Sequence, residues 1–282
     1  LAYNTHYNAF YTNMLASEMF IDSATIRSNV VSRAKQLGYI PSSKKGADAE
    51  VDITIVPDSL SSESITIPKN FKLGSSISGT TYIFTTNEAV SAVKLRNGAT
   101  DYVANNVAIR EGISLSLTQT ASGKATELFT LPNPNVDTRS LLVKVNGEVY
   151  NFSNKYIEVD SNSKVYFLQE GDDELYQIYF GDGVVGKSLN VSDIVSIEYT
   201  ISRIGLEGNG AKKFSSAETI AGVSPTVALS NATATASGGS SKETVSSIKL
   251  KAPRGFELQN RIVTEQDYKT HLVNDYPSIE AI

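Results

Sequence analysis

The run Gly181-Asp182-Gly183-Val184-Val185-Gly186-Lys187-Ser188 has the residue types and spacing that hold phosphate. It fits G-x-x-x-x-G-K-[ST], in which glycine-rich backbone N–H groups cradle the phosphates of a nucleotide and the lysine reaches them. From Gly181 to Gly186 it also fits G-x-G-x-x-G. Both signatures depend on a helix opening directly after the loop, because the phosphate rests on that helix's free N–H groups and positive end. The chain instead continues into Ile194-Val195-Ser196-Ile197-Glu198-Tyr199-Thr200-Ile201, whose alternation and β-branched content predict a strand. Tyr176-Gln177-Ile178-Tyr179-Phe180, ahead of the glycines, predicts another. Gly181, Asp182, Gly183 and Gly186 are therefore expected to form a structural turn that bends one antiparallel strand into the next. The Asp182 carboxylate would accept local backbone N–H bonds, as turn aspartates do. Lys187 becomes a solvent-facing charge.

Other chemistry is sparse. The chain has no cysteine, which excludes disulfides, thiolate metal sites and cysteine nucleophiles. Its two histidines, His6 and His271, cannot furnish a His-rich metal site, and neither lies in a context that favours a general base. Asp172-Asp173-Glu174 follows Gly171 between two expected strands but lacks the spaced ligands of a calcium loop, so it reads as a solvated turn. No catalytic, cofactor-binding or metal-ligating residue is assigned, and the chain is not expected to be an enzyme. The net charge of −5 with scattered Lys and Arg argues against direct nucleic-acid binding. No apolar run is long enough to insert into a membrane.

The elements divide by period. Residues 1–49 form an N-terminal helical segment, in which Phe10, Met14, Leu15 and Met19 suggest one helix. Ile26, Val30, Ala34 and Leu37 form the apolar face of a second, capped by Asp22 or Ser23 and closed by Gly38 and Pro41. Residues 50–122 and 123–221 then read as two β domains of short alternating strands. Asn146-Gly147, between Leu142–Val145 and Glu148–Asn151, is the strongest hairpin signal, and Asn97-Gly98 is a second. Residues 222–241, rich in Ser, Thr, Ala and Gly, read as a flexible linker. Residues 242–282 return to a helical pattern, with Ser240 and Glu243 at capping-box spacing ahead of Val245 and Ile248. Thr264 and Asp267 repeat that spacing ahead of Tyr268 and Leu272, and Pro253 and Pro277 punctuate the ends. The expected fold is α+β, mostly antiparallel β domains with helical segments at both ends. The start at Leu1 and the apolar finish at Glu280-Ala281-Ile282 set the expectation of a segment cut from a longer chain.

Four regions, in order, carry a resemblance. They are Asp22–Val31 running into Gln36-Leu37-Gly38-Tyr39-Ile40-Pro41; Ile65-Thr66-Ile67-Pro68-Lys69 with Tyr82-Ile83-Phe84-Thr85-Thr86; Phe180–Gly186 with Gly205–Gly210; and Gly238-Gly239, Glu243, Ala252-Pro253, Gln259-Asn260-Arg261, Val263-Thr264 and Asp267-Tyr268. Together they resemble the J-like baseplate wedge proteins of contractile-tailed phages and related injection machines. The Lys187-Ser188 pair, where the family often has other residues, creates the nucleotide spelling by accident.

The resemblance implies a structural virion subunit of the tail baseplate, made in the host cytoplasm. It would be a homo-oligomer that also joins other baseplate wedge, hub or sheath-initiating proteins in a ring around the hub, and that ring would rearrange on sheath contraction. The terminal helices would hold the neighbours, which makes Phe10, Met14, Ile26, Val30, Leu37, Val245, Ile248, Tyr268 and Leu272 the candidate interface residues. From the residues alone, the same apolar stripes are equally those of a packed core. Two further readings stay open: a surface-binding β module that takes carbohydrate, and a phosphate-loop nucleotide binder.

Overall fold

The computed structural model describes residues 2–58, 62–96, 100–154, 159–171 and 173–258, with 265, 268, 269 and 272. It is an α+β chain, mostly antiparallel β, with two helices near the N-terminus and one near the C-terminus among the described residues. The helices are α1 (Ala2–Ser17), α2 (Arg27–Gln36) and α3 (Val245–Leu258).

The first sheet has eight strands. It is built from β1 (Asp48–Ile55), β2 (Ser64–Ile67), β3 (Lys72–Ile77), β4 (Thr80–Thr86), β5 (Val90–Lys94) and β6 (Tyr102–Glu111), completed much later in sequence by β14 (Phe214–Ser216) and β15 (Thr226–Leu229). Their order is β14-β3-β4-β6-β1-β15, with β5 also paired to β6 and β2 antiparallel to β5. Alternation sets the burial: Val51, Ile53 and Ile55 point inward along β1, where they meet Phe71, Leu73, Phe84 and Ile109. Phe214, edge-on to Phe84 at 5.0 Å, closes this core from the far end of the chain.

The second sheet has seven strands in the order β7-β13-β9-β10-β11-β12-β8. These are β7 (Ile113–Thr120), β8 (Phe129–Thr130), β9 (Val136–Val145), β10 (Glu148–Phe152), β11 (Val165–Glu170), β12 (Tyr176–Phe180) and β13 (Ile194–Ile201). It wraps one core of Phe129, Leu131, Val143, Tyr150, Ile178, Phe180, Val195 and Ile197. Asn146 and Gly147, both at positive φ, make the tight turn between β9 and β10. Asn97-Gly98 lies outside the described residues.

The strand pairing divides the chain differently from its composition. The change of sheet falls at Gly112, ahead of the boundary expected between residues 122 and 123. There φ is +135°, and a Cβ would stand 2.5 Å from the Ile201 carbonyl oxygen, so only glycine lets β6 run straight into β7. The second sheet is thus inserted between β6 and β14 of the first. The Ser/Thr/Ala/Gly stretch 222–241 is paired: β15 lies antiparallel on β1, Ser237 exchanges backbone bonds with Asp48, and Ser240 does so with Lys45. Its small side chains suit close backbone approach to an existing sheet as well as they suit a linker.

Helix ends also differ from the capping patterns. The helix α2 opens at Arg27, and its first turn is capped from a distance by Glu18, which accepts from the Thr25 N–H (2.8 Å), the Thr25 hydroxyl (2.7 Å) and Asn29 Nδ2 (2.9 Å). Asp22 and Ser23 lie in the turn before it. Ser240 is held by Lys45, so the residue that caps α3 is Thr244, whose hydroxyl accepts the Ser247 N–H (3.3 Å). Pro253 lies inside α3 and not at its end. Thr264, Asp267 and Pro277 lie outside the described residues.

Candidate assembly interface

The phosphate-like run is a loop closed on itself. Asp182 Oδ1 accepts from the N–H groups of Val184 and Val185, each at 2.9 Å, and Gly183 donates to the Gly186 carbonyl at 3.1 Å. These backbone bonds hold the Asp182 carboxyl below its usual pKa range. A Cβ on Gly181 would lie 2.2 Å from the Gly186 carbonyl carbon, so only glycine fits where the loop closes on itself. The chain goes on from it to β13 with no helix between. The strands it joins are not partners: β9, β10 and β11 lie between β12 and β13 in the sheet. The expected hairpin is therefore a crossover. It is anchored to the loop before β11 by Gly186 N–H to Asp160 O (3.0 Å) and Lys187 N–H to Ser163 O (2.9 Å).

The nine candidate interface residues separate by position. Phe10 and Met14 lie on α1, where every residue from Tyr3 to Ala16 is exposed. This helix, Ala-Tyr-Asn-Thr-His-Tyr-Asn-Ala-Phe-Tyr-Thr-Asn-Met-Leu-Ala-Ser, carries no Asp, Glu, Lys or Arg. Its aromatic rings lie against one another, with Tyr3 and Tyr7 at 4.5 Å and Tyr7 and Tyr11 at 6.2 Å. Val30 and Ile248 are fully buried in a small core between α2 and α3 with Ala24, Val31, Ala34 and Ala252, and Leu37 and Val245 pack on its rim. Ile26 is exposed just ahead of α2, and Tyr268 and Leu272 are helical and exposed.

Charged groups whose distant partners no sequence pattern names fasten these parts together. Arg27 forms a two-pronged bond to the buried Glu170 of β11, at 3.0 and 3.2 Å, and donates to the Glu243 carbonyl. Lys242 joins Glu170 (2.9 Å) and Glu174 (3.0 Å). The Glu243 carboxylate accepts from the Tyr39 hydroxyl (2.8 Å), the Ser42 N–H (2.9 Å) and the Ser247 hydroxyl (2.6 Å). Burial, then the charge of Glu243, pushes the Tyr39 hydroxyl's pKa up. Between the two sheets, fully buried Asp137 accepts from the Gly46 N–H (3.0 Å) and from Arg139 Nη2 (2.7 Å), while Asp48 binds Arg139 (3.1 Å) and Arg110 (2.6 Å). Buried Glu111 accepts from the Ser202 hydroxyl (2.6 Å) and the Arg203 N–H (3.0 Å). Single carboxylates in an alternating strand give no sign in sequence of which distant arginine they will meet.

One β unit is inserted into the other and clasped to a helical pair, and an exposed helix without Asp, Glu, Lys or Arg precedes them. No family model matches the chain. Aligned over 306 residues, which take in 99% of this chain and 45% of the other, it is 29% identical to the protein named "Baseplate wedge protein gp6" of Enterobacteria phage T4. The chain is thus similar to a baseplate wedge protein over nearly its whole length, and it spans less than half of that relative.

Proposed function

We propose that the chain is a structural subunit of the wedge of a contractile-tail baseplate in the phage virion. It assembles with copies of itself and with other wedge, hub or sheath-initiating proteins into a ring around the hub, and the ring rearranges when the sheath contracts. The likeness to a baseplate wedge protein over 99% of the chain carries this proposal. Helix α1 supports it. An isolated helix of this length is marginal in water, and one whose aromatic side chains are all exposed gains its stability from packing against a partner. Among the described residues, no helix is long and apolar enough to cross a membrane, so α1 is read as a protein-docking element.

The interface we assign is Phe10 and Met14 of α1 with Ile26, Tyr268 and Leu272, because these are exposed, whereas Val30 and Ile248 fill the α2–α3 core. Substituting Val30 would unfold that core and test nothing about assembly. The combined variant Phe10→Glu, Met14→Glu is the proper test. It should leave the stability of the isolated chain within about 0.5 kcal/mol, as surface changes do, yet abolish baseplates in electron micrographs of phage carrying it. Normal contractile tails from that phage would refute the assignment.

A further inference from the structure

Sheet edges attract foreign strands, and proteins usually blunt them with short strands, proline, charge or bulges. This chain does so at most of its edges. The strand β14 has three residues, β8 has two and is followed by Pro132, β2 has four and runs into Pro68, and β15 has four and follows Pro225.

The strand β7 is different. It is eight residues long, Ile-Ser-Leu-Ser-Leu-Thr-Gln-Thr, with no charge, no proline and an unbroken register against β13 from Ile113↔Ile201 to Thr120↔Ile194. It ends the second sheet, and most of it is exposed. The direction of its peptide groups follows from two bonds. On β13, Thr200 turns its N–H away from β7 to the Ser140 hydroxyl (2.8 Å), so its partner Ser114 is not hydrogen-bonded to it through the backbone. At the other end, Ala121 donates its N–H to the Asp193 carbonyl (2.8 Å). Alternation then directs the N–H and C=O groups of Ser114, Ser116 and Thr118 outward along the free edge.

We propose that this edge pairs antiparallel with the same edge of a second copy of the chain, about a two-fold axis at Ser116. The sequence is self-complementary in that register. Ser116 opposes Ser116, and Ser114 opposes Thr118, each pair exchanging N–H···O bonds through the outward peptide groups. Leu115 opposes Leu117 in the closer, non-hydrogen-bonded pairs, so the apolar face continues from one copy into the next. A two-fold axis perpendicular to the sheet keeps equivalent faces on the same side, as an isologous contact requires. Because the strand carries no charge, two copies meet without repulsion, and a partner chosen by charge would find nothing on it to recognise. This rests on the strand edge alone and not on the baseplate assignment.

Sedimentation velocity on the full chain across a concentration series tests the pairing. A concentration-dependent dimer is expected. It should be lost with Ser116→Pro, which removes an outward N–H while leaving the bonds to β13 intact, and with Leu115→Lys, which charges the rim. It should persist with Phe10→Glu, Met14→Glu. Circular dichroism shows whether each variant is folded; should Ser116→Pro fail to fold, Thr118→Lys replaces it. If the helix variant also dissociates, amide exchange at Ser114, Ser116 and Thr118 decides: protection that rises with wild-type concentration upholds the pairing, and its absence overturns it. A wild-type chain that stays monomeric, or a dimer that survives both β7 variants, also overturns it.

Discussion

Glu18 shows how one side chain sets the start of an element it does not belong to. It accepts from the Asn29 side chain and from the hydroxyl and N–H of Thr25, at the N-terminal end of α2 where the helix dipole favours an anion. Those bonds, the Asn29 bond foremost, lower its pKa from the ordinary 4.5 to about 2. The folded state therefore prefers the ionised form. The stabilisation is complete above the ordinary value and fades as pH falls toward about 2. A chain titrated from pH 5 to pH 2 and followed by hydrogen exchange at the first turn of α2 should lose protection there, while Glu18→Gln should show the weakened level throughout and no such pH step. Equal pH profiles for the two proteins would remove Glu18 from the cap. The sequence suggests Asp22 or Ser23 for this position because local capping rules look only at the residue next to the helix. Glu18 arrives by a turn that no spacing rule encodes. At Gly181–Ser188 the opposite holds. The β-branched residues after the loop state plainly that no helix opens there, and the tight Asp182 turn agrees with them, although the non-adjacent strands it connects are not legible in sequence.

At the scale of elements, period and turn chemistry serve well where a segment's partner is its sequence neighbour. The β9–β10 hairpin at Asn146-Gly147 is such a case. They serve less well for α2 and α3, whose stripes look the same whether they meet each other or another protein. Val30 and Ile248 meet inside the chain, whereas Phe10 and Met14 do not. The helical pair is tied to the second sheet by Arg27 and Glu170, whose side chains are 15% and 1% exposed. Removing Arg27 leaves Glu170 with Lys242, 2.9 Å away, as its remaining cation, so the cost is that of lost charge-assisted hydrogen bonds, roughly 1.5–3 kcal/mol, and not that of a stranded charge. Arg27→Met should lower the urea midpoint accordingly, and part of that loss should return in Arg27→Met, Glu170→Gln, because the second change removes a buried charge left with Lys242 alone. Additive losses in the double variant would mean that the pair is not coupled.

Across the whole molecule, the insertion of one sheet into another decides how the parts move together. Val51 pairs with Leu229, and Phe214 seals a core most of whose members precede residue 112. Pairing over such separations leaves no local mark, which is why the 222–241 stretch looks like a connection in sequence when its residues in fact complete the first sheet. A chain crossing twice between sheets is also poorly suited to a pivot at that stretch, and any change of angle must act where the sheets touch. The Asp137 cluster is one such place. Its carboxylate, on β9, is fully buried and bonds the Gly46 N–H beside the first sheet, while Arg139 spans to Asp48 and the Gly46 carbonyl (2.8 Å). Asp137→Asn keeps the shape but removes the charge that Arg139 and the Gly46 N–H face; Arg139 keeps Asp48 and the Gly46 carbonyl, so the loss is roughly 1.5–3 kcal/mol, that of hydrogen bonds to a charged group. Calorimetry on the wild-type chain should show one cooperative transition, and Asp137→Asn should split it into two as the sheets unfold separately. Asp48→Asn, at the exposed rim of the same cluster, should keep a single peak and lower stability by no more than about 1 kcal/mol. One unsplit transition with an unchanged midpoint in Asp137→Asn would show that the covalent crossings and the Glu111–Ser202 contact hold the sheets together without the clasp.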